Sequence, residues 1–177
     1  MTDTETKLQD AVTQFDLAAN AEDEAMVRSC INAMIDMGRS VTLVMQKESG
    51  PYPALTQWYE GRMAELMQSA DAPLMKFFNE RRVHTIHKGV VRPLRDTALV
   101  TGSTVPGVAP GATMILWRFE GTAEHLGPSD SGGMHRLSMR YLAILRGLVR
   151  DWLQQRAELS IPFASIASCL GAAGPNR

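Results

Sequence analysis

Cysteine is nearly absent. Cys30 and Cys169 are the only two in 177 residues, far apart and in no metal-like spacing, which excludes a disulfide framework and a cysteine-based zinc site. Long apolar runs are missing too: none approaches the roughly 20 residues needed to cross a bilayer. The first residues, Met1-Thr2-Asp3-Thr4-Glu5-Thr6, are acidic and polar, the opposite of a secretory signal, so a cytoplasmic protein without membrane association is expected. Excess charge is also lacking. The formal net charge is -1, which leaves no global pull toward nucleic acid or anionic membrane, and any nucleic-acid contact would need a local basic patch. Lysine is scarce, with Lys7, Lys47, Lys76 and Lys88 the only ones among 18 basic residues. Arginine has the planar fork suited to carboxylates and phosphates, although plain composition bias accounts for its excess here.

What is present is ordinary globular material, 45% apolar and 21% charged, enough for one domain with a real core. Leu8, Val12 and Phe15 mark an amphipathic helix from Lys7 to about Asn20. Val27, Cys30, Ile31, Met34, Ile35, Gly38, Val41 and Met45 keep a three-four rhythm to Lys47, so a second, longer helix follows Glu24, with Cys30 as a buried thiol and Gly38 permitting close helix packing rather than a turn. Ser49-Gly50-Pro51-Tyr52-Pro53 stops it. A third helix carries Leu55, Trp58, Tyr59, Met63, Leu66 and Met67. Asp71-Ala72-Pro73 opens a fourth that runs to His87, with Gly89 placed to end it.

The periodicity then changes. Thr97–Thr101 and Thr113–Phe119 are strand-like and are separated by glycines and prolines, so a small two-stranded β excursion near 97–119 is expected. Leu137, Tyr141, Leu142, Leu145, Leu148, Val149 and Trp152 form a near-heptad stripe on a last helix from Met134 to Glu158. One-sided stripes must bury one another. The expected fold is therefore all-α in the main, an up-and-down helical bundle with the β excursion, as a single domain over 1–170 and a flexible tail at 171–177.

On the fourth helix Met75, Phe78, Arg82, Ile86 and Val90 fall along one line. That row is apolar except for Arg82, which either snorkels from the stripe edge or is a positioned cation at a site. His87 lies about 140° further round the wheel at 100° per residue. Glu80, His84 and His87 share one face at metal-compatible spacing, but a solvated helical face gives the same pattern, and no metal site is expected. Arg81, Arg82, Lys88, Arg92 and Arg95 form a local basic stretch that could steer a phosphodiester toward His87. His125, His135 and Ser129-Asp130-Ser131 lack a nucleophile-elbow context. The stretch from Gly102 to Gly111 lacks the Lys-Ser/Thr pair of a phosphate-binding loop.

The segment Phe77-Phe78-Asn79-Glu80-Arg81-Arg82-Val83-His84-Thr85-Ile86-His87-Lys88-Gly89 resembles the helix that carries the signature of HEPN-like domains, an arginine, four to six residues and then a histidine. Arg82 and His87 match it. Ser40–Lys47, Trp58-Tyr59, Pro73-Leu74-Met75 and Trp117-Arg118-Phe119 before the last helix also look like bacterial HEPN-like proteins of unassigned role. The resemblance implies an all-α domain that binds or processes RNA, as in the metal-independent endoribonucleases of defence or toxin–antitoxin systems. It implies a homodimer, a cognate antitoxin or other protein partner, and no cofactor. Carried over, His87 would be the general acid or base at the ribose 2′-hydroxyl or the leaving oxygen, and Arg82 would stabilise the phosphorane charge. Asn79 and Glu80 would orient them or contact RNA, with Arg81, His84 and Lys88 among the substrate-binding residues. Catalytic members carry a polar residue directly after the arginine. Here that position is Val83, so the alternative implied is an inactive helical interaction or scaffold protein.

Overall fold

The computed structural model describes residues 1–87, 91–99, 113–120, 126 and 133–161, with the backbone alone at 84–87, 98–99 and 113. The chain begins helical earlier than Lys7. Helix α1 spans Asp3–Ala19 because Thr2 and Glu5 form a capping box: the Thr2 hydroxyl accepts from the Glu5 amide, and the Glu5 carboxylate accepts from the Thr2 amide. Two of the amides that a helix start leaves unpaired are so satisfied. The Glu48 carboxylate fastens this end to the next helix, accepting from the Thr4 hydroxyl at 2.7 Å and the Asp3 amide at 3.2 Å.

Helix α2, Glu24–Ser49, starts where the Asp23 carboxylate accepts from the Met26 amide. Its 26 residues give a rod of about 39 Å. Helix α3 is Pro53–Gln68, with its proline in the first turn, and α4 is Ala72–His87. The Asp71 carboxylate just before α4 pairs with Arg140 at 3.3 Å. Strands β1, Pro93–Leu99, and β2, Thr113–Phe119, pair antiparallel with Pro93 opposite Phe119 and Leu99 opposite Thr113. Helix α5 is Met134–Glu158. The protein is thus mainly α-helical with a small two-stranded excursion.

β1 begins at Pro93, four residues ahead of the expected Thr97. Proline suits the first position of a strand because it has no amide to contribute to the ladder. The approach to the strand is fixed by a distant residue. Asn32 on α2 donates from its side-chain nitrogen to the Val91 carbonyl, and its side-chain oxygen accepts from the Val91 amide, both at 2.9 Å and buried.

Helix α2 packs on all four other helices and on β1, and α5 likewise packs on the other four helices and on β2. Between them lie Trp152, Tyr141, Phe77, Phe78 and Phe119, all essentially removed from solvent. Burying a large apolar side chain stabilises by about 1.5–3 kcal/mol, so these residues dominate the interior. Phe77, Phe78 and Phe119 meet edge to face at 5.4–5.7 Å and tie α4 to β2. The polar ends of the core aromatics are paired: the Trp152 indole donates to the Ser49 hydroxyl at 3.0 Å, and the Tyr59 hydroxyl donates to the Thr42 carbonyl at 3.0 Å. Cys30 is buried and free. Gly38 is a point of close helix packing, since a Cβ there would stand 2.6 Å from Cε1 of Tyr141.

Candidate functional site

The site is built where α4 crosses α2 and meets α5. Met75 and Phe78 on α4 are buried, and Arg82 follows one turn after Phe78 on the same line. The Arg82 side chain is half-buried. Its Nε is fully enclosed and has no hydrogen-bond partner among the described residues. This is an unusual state for a guanidinium, because a buried donor left unpaired costs about 1–3 kcal/mol.

Facing it, α2 presents a row at steps of four and three. Asn32 holds Val91, Asp36 comes one turn later, and Arg39 follows. Burial pushes the Asp36 carboxyl above its ordinary range, and the charge of Arg82 pulls it part of the way back. Arg39 donates from Nη1 to the Thr42 hydroxyl at 2.9 Å. From α5 comes Tyr141, its ring stacked on Phe78 at 4.2 Å and 13° between planes. Its edge lies against the bare backbone of Gly38, where an added Cβ would be 3.1 Å from the hydroxyl oxygen. Burial drives the Tyr141 phenol well above its ordinary value, and the charges of Arg39 and Arg82 both act against that rise. Two guanidinium groups, a carboxyl and a phenol from three helices therefore share one region.

The remaining residues of the α4 motif separate. Arg81 turns away from Arg82: it donates to the Glu120 carbonyl at the end of β2 and lies over the Phe77 ring at 4.9 Å, so it anchors the sheet to the helix. Asn79 is half-buried and Glu80 exposed, while Val83 is 54% exposed, an apolar side chain in water beside the arginine. His84 and His87 lie on the helical backbone of α4, and their side chains fall outside the described residues, as does Lys88. Of the expected basic stretch, Arg81 is engaged with the end of β2, Arg92 and Arg95 are exposed around the strand start, and Lys88 lies outside the described residues. Among the described residues no group of three His, Cys, Asp or Glu side chains could hold a metal ion. His135 packs its ring 4.8 Å from Phe15. His125 and Ser129–Ser131 lie outside the described residues, as do Gly102–Gly111 and the expected tail.

Sequence reasoning singled out Arg82 but not Asp36, Arg39 or Tyr141. Tyr141 reads in sequence as part of an apolar stripe, and Asp36 and Arg39 lie between the stripe positions of α2 with nothing to set them apart. A signal was available in Gly38, since a glycine inside an unbroken helical pattern marks where a bulky neighbour arrives.

The fold and the site together define a mainly helical bundle with a half-buried arginine–acid–phenol cluster between three of its helices. Among the described residues no helix is long and apolar enough to cross a membrane. Compared with models of protein families, with curated proteins and with solved structures, the chain matches nothing in any of the three.

Proposed function

We propose that this chain is a HEPN-like RNA-binding or RNA-processing domain, in which the Arg82 guanidinium meets a phosphodiester at the α2–α4–α5 junction and His87 serves as the proton-transfer group. The observation that carries the reading is Arg82 itself, which follows the buried Met75 and Phe78 on one line of α4 and has an enclosed Nε that finds no partner among the described residues. A phosphate oxygen supplies the missing acceptor, and a guanidinium in a half-buried setting binds it more strongly than one in water. At that position the same charge stabilises a phosphorane as it forms. The test is incubation of the purified protein with single-stranded RNA in EDTA, alongside Arg82→Ala and His87→Ala. Metal-independent cleavage lost in both variants supports the enzyme. RNA bound but left intact supports a binding domain.

A second reading, a non-catalytic helical interaction protein, is favoured by Val83. An apolar side chain 54% exposed next to Arg82 suits contact with a partner protein or a second copy better than contact with RNA. Absence of both binding and cleavage, with a stable dimer or a co-purifying partner lost on Val83→Asp, supports this reading.

A further inference from the structure

Three polar groups at the junction have no hydrogen-bond or ion-pair partner that the described residues supply: the Tyr141 hydroxyl, the Asp36 carboxylate and the Arg82 Nε. Among the described residues nothing hydrogen-bonds to the Tyr141 hydroxyl, although the residue is 1% exposed. The Asp36 carboxylate makes no ion pair or hydrogen bond there, and the Arg82 Nε is enclosed without an acceptor. Among the buried aromatics the polar ends of Trp152 and Tyr59 are paired, with the Ser49 hydroxyl and the Thr42 carbonyl, while on α5 the buried Ser138 hydroxyl, one turn before Tyr141, is also enclosed without a partner among the described residues. Buried polar groups are almost always satisfied, so the enclosed Arg82 Nε, with the half-buried Asp36 carboxylate and the Tyr141 hydroxyl in the same region, marks a place for a polar ligand. Their chemistry constrains it. Arg82 and the Tyr141 phenol offer donors, with Arg39 adding positive charge, and together they suit the oxygens of a phosphate. Asp36 offers only an acceptor when ionised, so it requires a ligand hydroxyl or amine next to that phosphate. A ribose phosphate carries both groups on adjacent atoms, and the 2′-hydroxyl is the donor that distinguishes RNA from DNA.

We infer that Asp36 and Tyr141 are substrate-binding residues of the Arg82 site: Tyr141 donates to a phosphate oxygen held by Arg82, and Asp36 accepts from the ribose 2′-hydroxyl. This rests on the RNA reading of Arg82 and adds the sugar selectivity of that site. Tyr141 and Asp36 act here in binding, and no bond is made or broken by either.

The experiment measures binding of the full chain to one fluorescent single-stranded RNA and to DNA of the same sequence, for the wild type, Tyr141→Phe, Asp36→Ala and Asp36→Asn. Tyr141→Phe keeps the ring against Phe78 and Gly38 and removes only a hydroxyl with no partner among the described residues. It should leave the melting temperature unchanged and weaken RNA and DNA alike by about ten-fold, the size of one hydrogen bond to a charged group. The wild type should prefer RNA. Asp36→Ala should reduce that preference to near one by weakening RNA without weakening DNA, and Asp36→Asn, which retains an acceptor, should keep a preference for RNA. An RNA preference intact in Asp36→Ala, or unchanged affinity in Tyr141→Phe, overturns the inference and leaves the RNA reading standing. A wild type that binds neither nucleic acid overturns the RNA reading and this inference with it.

Discussion

The Tyr141 ring closes on the backbone of Gly38, so that a single methyl group there would stand 2.6 Å from Cε1. The ring cannot retreat, because its face is stacked on Phe78 at 4.2 Å. The contact sets the distance between α2 and α5 beside Asp36, Arg39 and Arg82.

Gly38→Ala should therefore destabilise. Overpacking a well-filled site costs about 1–3 kcal/mol, against a gain of at most about 1 kcal/mol from helix propensity. The net change should lower the melting temperature by several degrees. Gly61 and Gly147 are also helical, but a Cβ at either meets nothing within 4 Å. Gly61→Ala and Gly147→Ala should each stabilise by about 0.5–1 kcal/mol. Thermal melts of the three variants check the contrast, and a Gly38→Ala protein as stable as the other two would refute the close contact.

Asn32 stands in for a strand partner, using its amide as both donor and acceptor to the Val91 backbone. Asn32→Ala leaves a buried amide and a buried carbonyl unpaired, at about 1–3 kcal/mol for each group. Asn32→Asp should be equally damaging, because a carboxylate accepts from the Val91 amide but repels the carbonyl that the side-chain nitrogen held. Hydrogen exchange gives the local readout: protection of the Val91 amide should fall in both variants by more than that of amides inside α5.

Much of the fold was legible because burial imposes a period. The stripes of α2 and α5, the buried Cys30, and Gly38 as a packing point all follow from side chains returning to one face every three or four residues. The early start of α1 was missed, although Thr2 and Glu5 have the capping-box spacing. The start of β1 was not legible. It depends on Asn32, which is 59 residues from Val91 in sequence and looks like one more polar residue on a helix. The site divides along the same line. Arg82 stood out as a local break in an apolar row, whereas Asp36, Arg39 and Tyr141 gain meaning only when three helices cross.

Asp36 should make folding stability depend on pH in a stated direction. Burial raises its folded pKa above the unfolded value, with Arg82 opposing. A raised carboxyl binds its proton more tightly in the fold, so its contribution to stability is fully present below the unfolded pKa and is lost as pH rises through the folded one. Asp36→Asn should accordingly be more stable than the wild type at neutral pH, with the gap closing as pH falls below about 4. Denaturant midpoints at several pH values test the sign. Carbon-13 NMR titration of the Asp36 carboxyl adds a second measurement, in which Arg82→Gln should move its pKa further up.

The same charges allow stability and function to be separated. Arg82 and Asp36 form no ion pair among the described residues, but the charge of one acts on the other. Replacing buried opposite charges by apolar or neutral groups of similar size is often neutral or stabilising by about 1–4 kcal/mol, whereas removing one alone leaves the other uncompensated. Arg82→Leu completes the row of Met75 and Phe78 but leaves Asp36 without its opposing cation, so alone it should gain little. Combined with Asp36→Asn it should melt higher than the wild type, and the two changes should couple by more than about 0.5 kcal/mol in a double-mutant cycle, as expected of groups that feel each other's charge. If the cluster exists to bind a ligand, this better-folded protein should have lost its RNA affinity, the opposite trend in two properties of one variant. A double variant less stable than the wild type would mean that Arg82 and Asp36 hold the helices together and that their enclosure is structural.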